Sequence, residues 1–89
     1  MDLPTEDRDE IIKRLRRVEG QIRGIQAMID DGRDCNEVLT QFAAAHKAMS
    51  KAGFRFFAAT MEQCRLHPEL ADEKGYTSER MEQMFLRLS

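Results

Sequence analysis

The stretch from Asp34 to Cys64, DCNEVLTQFAAAHKAMSKAGFRFFAATMEQC, has no proline and holds the only two cysteines of the chain, one near each end. As one helix rising ~1.5 Å per residue, it separates Cys35 from Cys64 by roughly 44 Å. A disulfide needs Cα atoms within about 7 Å. The two thiols then cannot meet inside one chain, but each can meet its counterpart on an antiparallel copy. The alternative is a turn at Ser50-Lys51-Ala52-Gly53, folding a helical hairpin that brings the cysteines towards each other. Against it, the apolar stripe Val38, Phe42, Ala45, Met49, Ala52, Phe56 keeps its phase through those residues, and one mid-helix glycine costs only ~1 kcal/mol. The reading is an unbroken helix. Leu39, Phe57, Met61 and Cys64 widen its apolar arc, so it is covered on more than one side. At about 50 Å it exceeds the roughly 30 Å expected across a compact globule of this length, and so requires other chains.

Outward towards the N-terminus, Asp34 and Glu37 have capping-box spacing, which puts Cys35 in the first turn of this second helix. Unpaired N–H groups and the helix macrodipole favour negative charge there, making Cys35 the candidate reactive sulfur. Gly32, after Asp30-Asp31, suits the left-handed position that ends a first helix. That helix is expected to start at the capping-box pair Asp7 and Glu10, after a loose Pro4-Thr5. Ile11, Leu15, Val18, Ile22, Ile25 and Ile29 recur at alternating spacings of four and three, an a/d seam that needs a partner helix. Lys13, Arg14, Arg16, Arg17 and Arg23 fall mostly off the seam, where a solvated face is the ordinary reading. Towards the C-terminus, Leu66-His67-Pro68 ends the second helix. Glu69 to Tyr76 reads as a polar connection with room for one helical turn, and a short third helix from about Thr77 presents Met81, Met84, Phe85 and Leu88. The expectation is an all-α, three-helix protomer.

The 89 residues make one domain, 1–89, with a core too modest to stand without other copies. No apolar run reaches the ~20 residues of a membrane span and MDLPTEDRDE lacks the pattern of a signal peptide, so the expected location is cytoplasmic. In a reducing compartment the cysteines point to metal binding or thiol chemistry, and equally to two small buried apolar residues. The net charge of −2 argues against generic polyanion binding, but acidic residues crowd the first ten positions and the basic stripe follows with only Glu19 against it. No CxxC pair or adjacent general base supports an enzyme, and no cofactor is called for.

The segment RLRRVEGQIRGIQAMIDDGRDCNEVLTQFAAAHKAM, followed by SKAGF and a second cysteine 29 positions after the first, closely resembles the copper-sensing operon repressor (CsoR-like) family over about residues 8 to 66. The resemblance implies bacterial repressors that form antiparallel dimers and then disc-shaped homotetramers. Such proteins bind operator DNA without a helix-turn-helix and release it when an inducer reacts at a site between subunits. It assigns Arg14, Arg16, Arg17 and the Lys51 of SKAGF to the DNA contact, where charge against phosphate makes binding steeply salt-dependent. Lys13, Arg23 and Arg55 are lesser candidates for the same patch.

Copper sensors of this family hold Cu(I) with a Cys from one protomer and a His and a Cys from the other. Here the histidine position, four before the second cysteine, is Thr60, and the position before Cys35, commonly Tyr, is Asp34. His46 and His67 read as surface or interface residues. Nickel, cobalt and formaldehyde sensors use an N-terminal His or Pro where this chain has Asp2. A cysteine pair without the histidine resembles the persulfide-sensing branch, the CsoR-like sulfurtransferase repressors. The expected switch is therefore a redox-sensing pair, in which sulfane-sulfur donors cross-link Cys35 to Cys64 of the neighbouring protomer through a di- or polysulfide. The alternative is a Cu(I) repressor using Cys35 and Cys64 alone.

Overall fold

In the computed structural model, which describes residues 2–88, the second helix is one element. Residues 1 and 89, the ends of the expected 1–89 domain, lie outside the described residues. In chain order the elements are α1 (Thr5–Asp30), α2 (Cys35–Leu66), α3 (Pro68–Lys74) and α4 (Ser78–Leu88), with no strand among the described residues. The 32 residues of α2 pass through Ser50-Lys51-Ala52-Gly53 without a break, so the hairpin alternative is not adopted. Gly53 is also where the end of α4 rests on α2. A Cβ there would stand 3.0 Å from Leu88 Cδ2, so the bare backbone seats the end of α4.

α1 and α2 form an antiparallel hairpin across the short turn after Asp30. The turn closes with Gly32 at φ 67°. The Gly32 N–H donates to the Ile29 carbonyl at 3.1 Å and the Arg33 N–H to the Met28 carbonyl at 3.0 Å, a Schellman motif as expected of that glycine. The seam is unequal. Ile11, Val18 and Ile25 are buried on α1, and Ala45, Ala52 and Ala59 on α2, each set spaced by seven residues. Small alanines opposite branched side chains let the two backbones approach closely, so α2 gives its small residues to this chain's own core. Its large ones stay out: Phe42, Met49 and Phe56 remain half exposed, as do Ile22 and Ile29 of α1.

The three-helix expectation is corrected to four. Residues 69–76 are not merely a connection, because Pro68, which stops α2, is also pre-organised for the first position of a new helix and opens α3. Gly75, at φ 70°, ends it. Its N–H reaches the Asp72 carbonyl at 3.1 Å while the Tyr76 N–H reaches that of Ala71 at 2.9 Å, repeating the α1 terminator. The start of α1 also differs from expectation. Pro4 occupies the N-cap with no side-chain cap hydrogen bond, and the carboxylates of Asp7 and Glu10 are used on Arg55 of α2 instead.

Among the described residues α3 and α4 pack on α2 and not on α1, and Arg80 of α4 donates to the Lys74 carbonyl at the end of α3 at 3.1 Å. Phe85 of α4 lies against Phe54 and Phe57, with ring centroids at 5.4 and 5.6 Å. The result is a flat, elongated body of 53 × 26 × 13 Å. Its radius of gyration is 16.9 Å, against about 12 Å for a compact chain of this length.

Candidate functional site

Cys35 is the first residue of α2 and is exposed. Asp34 caps the helix beside it, its carboxylate accepting from the Asn36 N–H at 3.0 Å. The expected capping box is half formed, because Glu37 takes the Arg33 guanidinium at 2.9 Å rather than reaching back. Cys64 lies in the last turns of the same helix, half-buried, and both thiols are free. With α2 unbroken between them, roughly 44 Å of helix separates the two sulfurs, and no conformation of the folded chain joins them.

The surroundings of Cys64 were not legible in the sequence. It lines a cleft of about 840 Å³ between the C-terminal half of α2 and the α3–α4 segment. Phe57 and Met61 flank it on the α2 wall, and Tyr76, Met81 and Phe85 form the other. Three sulfur atoms therefore border one largely apolar cavity. Met81 was legible only as part of an apolar face, since helical spacing does not distinguish a thioether that packs from one that faces a thiol. Thr60, one turn before Cys64, has its hydroxyl oxygen buried without a hydrogen-bond partner. At the mouth of the cleft, Arg65 donates to Glu62 at 2.5 Å, and this bond holds the Glu62 carboxyl below its usual range. His67 caps nothing with its side chain and stands 3.6 Å from Glu69, while His46 borders the α1–α2 groove. Both histidines are exposed and far from a shared centre.

No group of three or more His, Cys, Asp or Glu side chains converges among the described residues. A metal held by the cysteines would have to draw on a second copy. The donors themselves fit a soft ion: two thiols and neighbouring thioethers suit Cu(I), whereas the hydroxyl of Thr60 does not.

The basic residues divide into two groups. Arg14 is tied to Glu10 at 3.1 Å along its own helix. Arg16, Arg17 and Lys51 are exposed and carry no ion pair among the described residues. Arg17 lies beside the buried Val18 on α1, and Lys51 beside the buried Ala52 on α2. Arg55 belongs elsewhere. Its guanidinium donates to Asp7 at 2.6 Å and lies 3.4 Å from Glu10, and the hydrogen bond to Asp7 raises its pKa further. This clamp holds the start of α1 to the middle of α2 and removes Arg55 from the available cations.

The structure is thus a paired-helix plate with exposed basic residues on both helices and a thiol at each end of its long helix. The sequence model of the metal-sensitive transcriptional repressors matches residues 7–87, and the chain belongs to that family. It is similar to the copper-sensing transcriptional repressor RicR of Mycobacterium tuberculosis, 40% identical over 60 residues that cover 67% of this chain and 62% of that one. It is similar also to the copper-sensing transcriptional repressor CsoR of Bacillus subtilis, 35% identical over 60 residues covering 67% and 59%. The matched stretch thus spans about three fifths of the length of these curated relatives.

These likenesses correct the branch expected from the sequence. Both relatives are copper sensors by name, so the persulfide-sensing reading does not stand. With it go reactive sulfur species as the signal, sulfane-sulfur donors as partners and a Cys35–Cys64 polysulfide as the switch. The expectation rested on Thr60 standing where an imidazole would be. Losing one borderline donor leaves the two softest ones in place, so the substitution does not by itself argue for different chemistry. No helix among the described residues is long and apolar enough to cross a membrane.

Proposed function

We propose that this chain is a Cu(I)-responsive transcriptional repressor that holds copper between subunits through Cys35 of one copy and Cys64 of another. The observation that carries the reading is the unbroken α2, which keeps two soft ligands apart in a family of metal-sensitive repressors. One chain offers each ion a single thiolate, and an antiparallel neighbour offers the second. Each thiol gives up its proton on binding, so affinity rises with pH.

The exposed stripe of Ile22, Ile29, Phe42, Met49 and Phe56 supports assembly of copies into the antiparallel dimer and homotetramer, each copy a single domain. In that assembly Arg14, Arg16, Arg17 and Lys51 contact operator DNA in the cytoplasm. Phosphate neutralisation supplies most of the affinity, and the absence of a recognition helix among the described elements favours readout of DNA shape. Copper acts by binding more tightly to the tetramer form that holds DNA less well, and a differential of about 1–3 kcal/mol suffices.

Anaerobic titration of Cu(I) into a fluorescent operator complex tests this. Stoichiometric Cu(I) should lower DNA anisotropy in the wild type, whereas Cys35→Ser and Cys64→Ser should stay bound. Release of the variants at the same copper concentration as wild type would sink the proposal.

A further inference from the structure

The two thiolates leave a Cu(I) ion short of the third donor that a trigonal site takes, and Thr60 offers only an oxygen. The cleft at Cys64 holds what is missing. Met61 and Met81 border it with Cys64, one from each wall. Thioether is a soft, neutral donor of the kind that selects Cu(I), and a methionine side chain has three rotatable bonds with which to present its sulfur. The two methionines are not equivalent. Met61 is about half exposed, and on a helix its side chain leans towards the preceding turn, away from Cys64. Met81 is partly buried and comes from α4, across the cavity.

We propose that the thioether of Met81 completes the Cu(I) site at Cys64, supplying from α4 the soft donor that Thr60 cannot. This rests on the copper reading above and gives the site a donor set of two thiolates and one thioether. The ion then joins α4 to α2 within one chain as well as one chain to the next. Phe85 between Phe54 and Phe57, and Leu88 on Gly53, hold α4 against α2, with Met81 and Cys64 on the same cleft. Coordination changes no oxidation state: copper enters and remains as Cu(I), and only the thiols lose protons.

Selenomethionine-labelled protein, loaded anaerobically with one Cu(I) per chain, provides a direct test by X-ray absorption at the copper edge. A copper–selenium scattering path is expected in the labelled protein and in its Met61→Leu variant, and should be missing from Met81→Leu. Competition against a Cu(I) chelator should show affinity falling by about tenfold or more in Met81→Leu. The volume-conserving Met84→Leu, on the same helix outside the cleft, should bind as wild type. Copper–sulfur scattering without any selenium path, or a selenium path that survives Met81→Leu, overturns the proposal while leaving the copper reading intact. Copper that binds as tightly after Cys64→Ser removes both.

Discussion

The two ends of α2 present the same thiol in opposite settings. Cys35 is exposed at the first residue of the helix, beside the Asp34 cap at the α1–α2 turn. Cys64 is half-buried against a wall built by two further helices. One end offers a sulfur, while the other offers a cavity with a sulfur in it. The lesson is that the length of a helix can make one chain supply two different halves of a site, and the halves are complementary only across a subunit boundary.

The largest effect should come where the difference in setting does not matter. If each cysteine gives one thiolate to the same ion, Cys35→Ser and Cys64→Ser should each weaken Cu(I) binding by roughly 100-fold or more, measured by chelator competition. A loss confined to one variant would break the symmetry. Next comes reactivity in the metal-free protein. Labelling by a thiol reagent should be about tenfold faster at Cys35 than at Cys64, read by mass spectrometry of the two peptides, because exposure sets access. Equal rates would mean that the cleft does not shield its sulfur.

Phe85→Ala should then erase much of that contrast. Losing the ring between Phe54 and Phe57 loosens α4 by about 1–3 kcal/mol, less than a fully buried phenylalanine costs because Phe85 is 42% exposed. Hydrogen exchange should rise over residues 78–88, with labelling at Cys64 approaching that at Cys35. The smallest effect belongs to the pair at the cleft mouth. Arg65 lowers the Glu62 carboxyl below its ordinary value of 4.5, so the pair stabilises above that pH and the contribution is lost as pH falls through the lowered value. Glu62→Gln should therefore shift the thermal midpoint slightly downward at pH 7, and the shift should shrink as pH falls below 4.5. A shift that keeps its size at low pH would point to lost packing instead of charge.

The two long helices and the end of the first were legible because their signals are local and periodic. Ile11, Val18 and Ile25 recur at the right interval, and Gly32 takes the left-handed conformation that few other residues accept. What the periodicity did not reveal was which half of each stripe this chain buries. Ala45, Ala52 and Ala59 go inside while Phe42, Met49 and Phe56 stay out, contrary to size but in keeping with close helix approach. The missing helix α3 shows how one proline carries two messages, a stop for the helix before it and a start for the helix after it. Asp7 and Glu10 looked like a cap because the partner that claims them, Arg55, is 48 residues from Asp7. At the site, the cysteines were legible by type and spacing. The cavity was not, since it is made by α4 folding back onto α2, and the signal was misassigned by weighing an absent imidazole above two sulfurs that were present.

The 13 Å depth of the molecule is barely one helix diameter. A plate that thin keeps only a narrow seam inside, Ile11, Val18 and Ile25 against Ala45, Ala52 and Ala59, and leaves its large apolar side chains on its faces. Its melting temperature should therefore climb with protein concentration, since whatever populates the covered form stabilises it by mass action. Dose would then set two things at once: how many repressor molecules there are, and what fraction of them is folded enough to act.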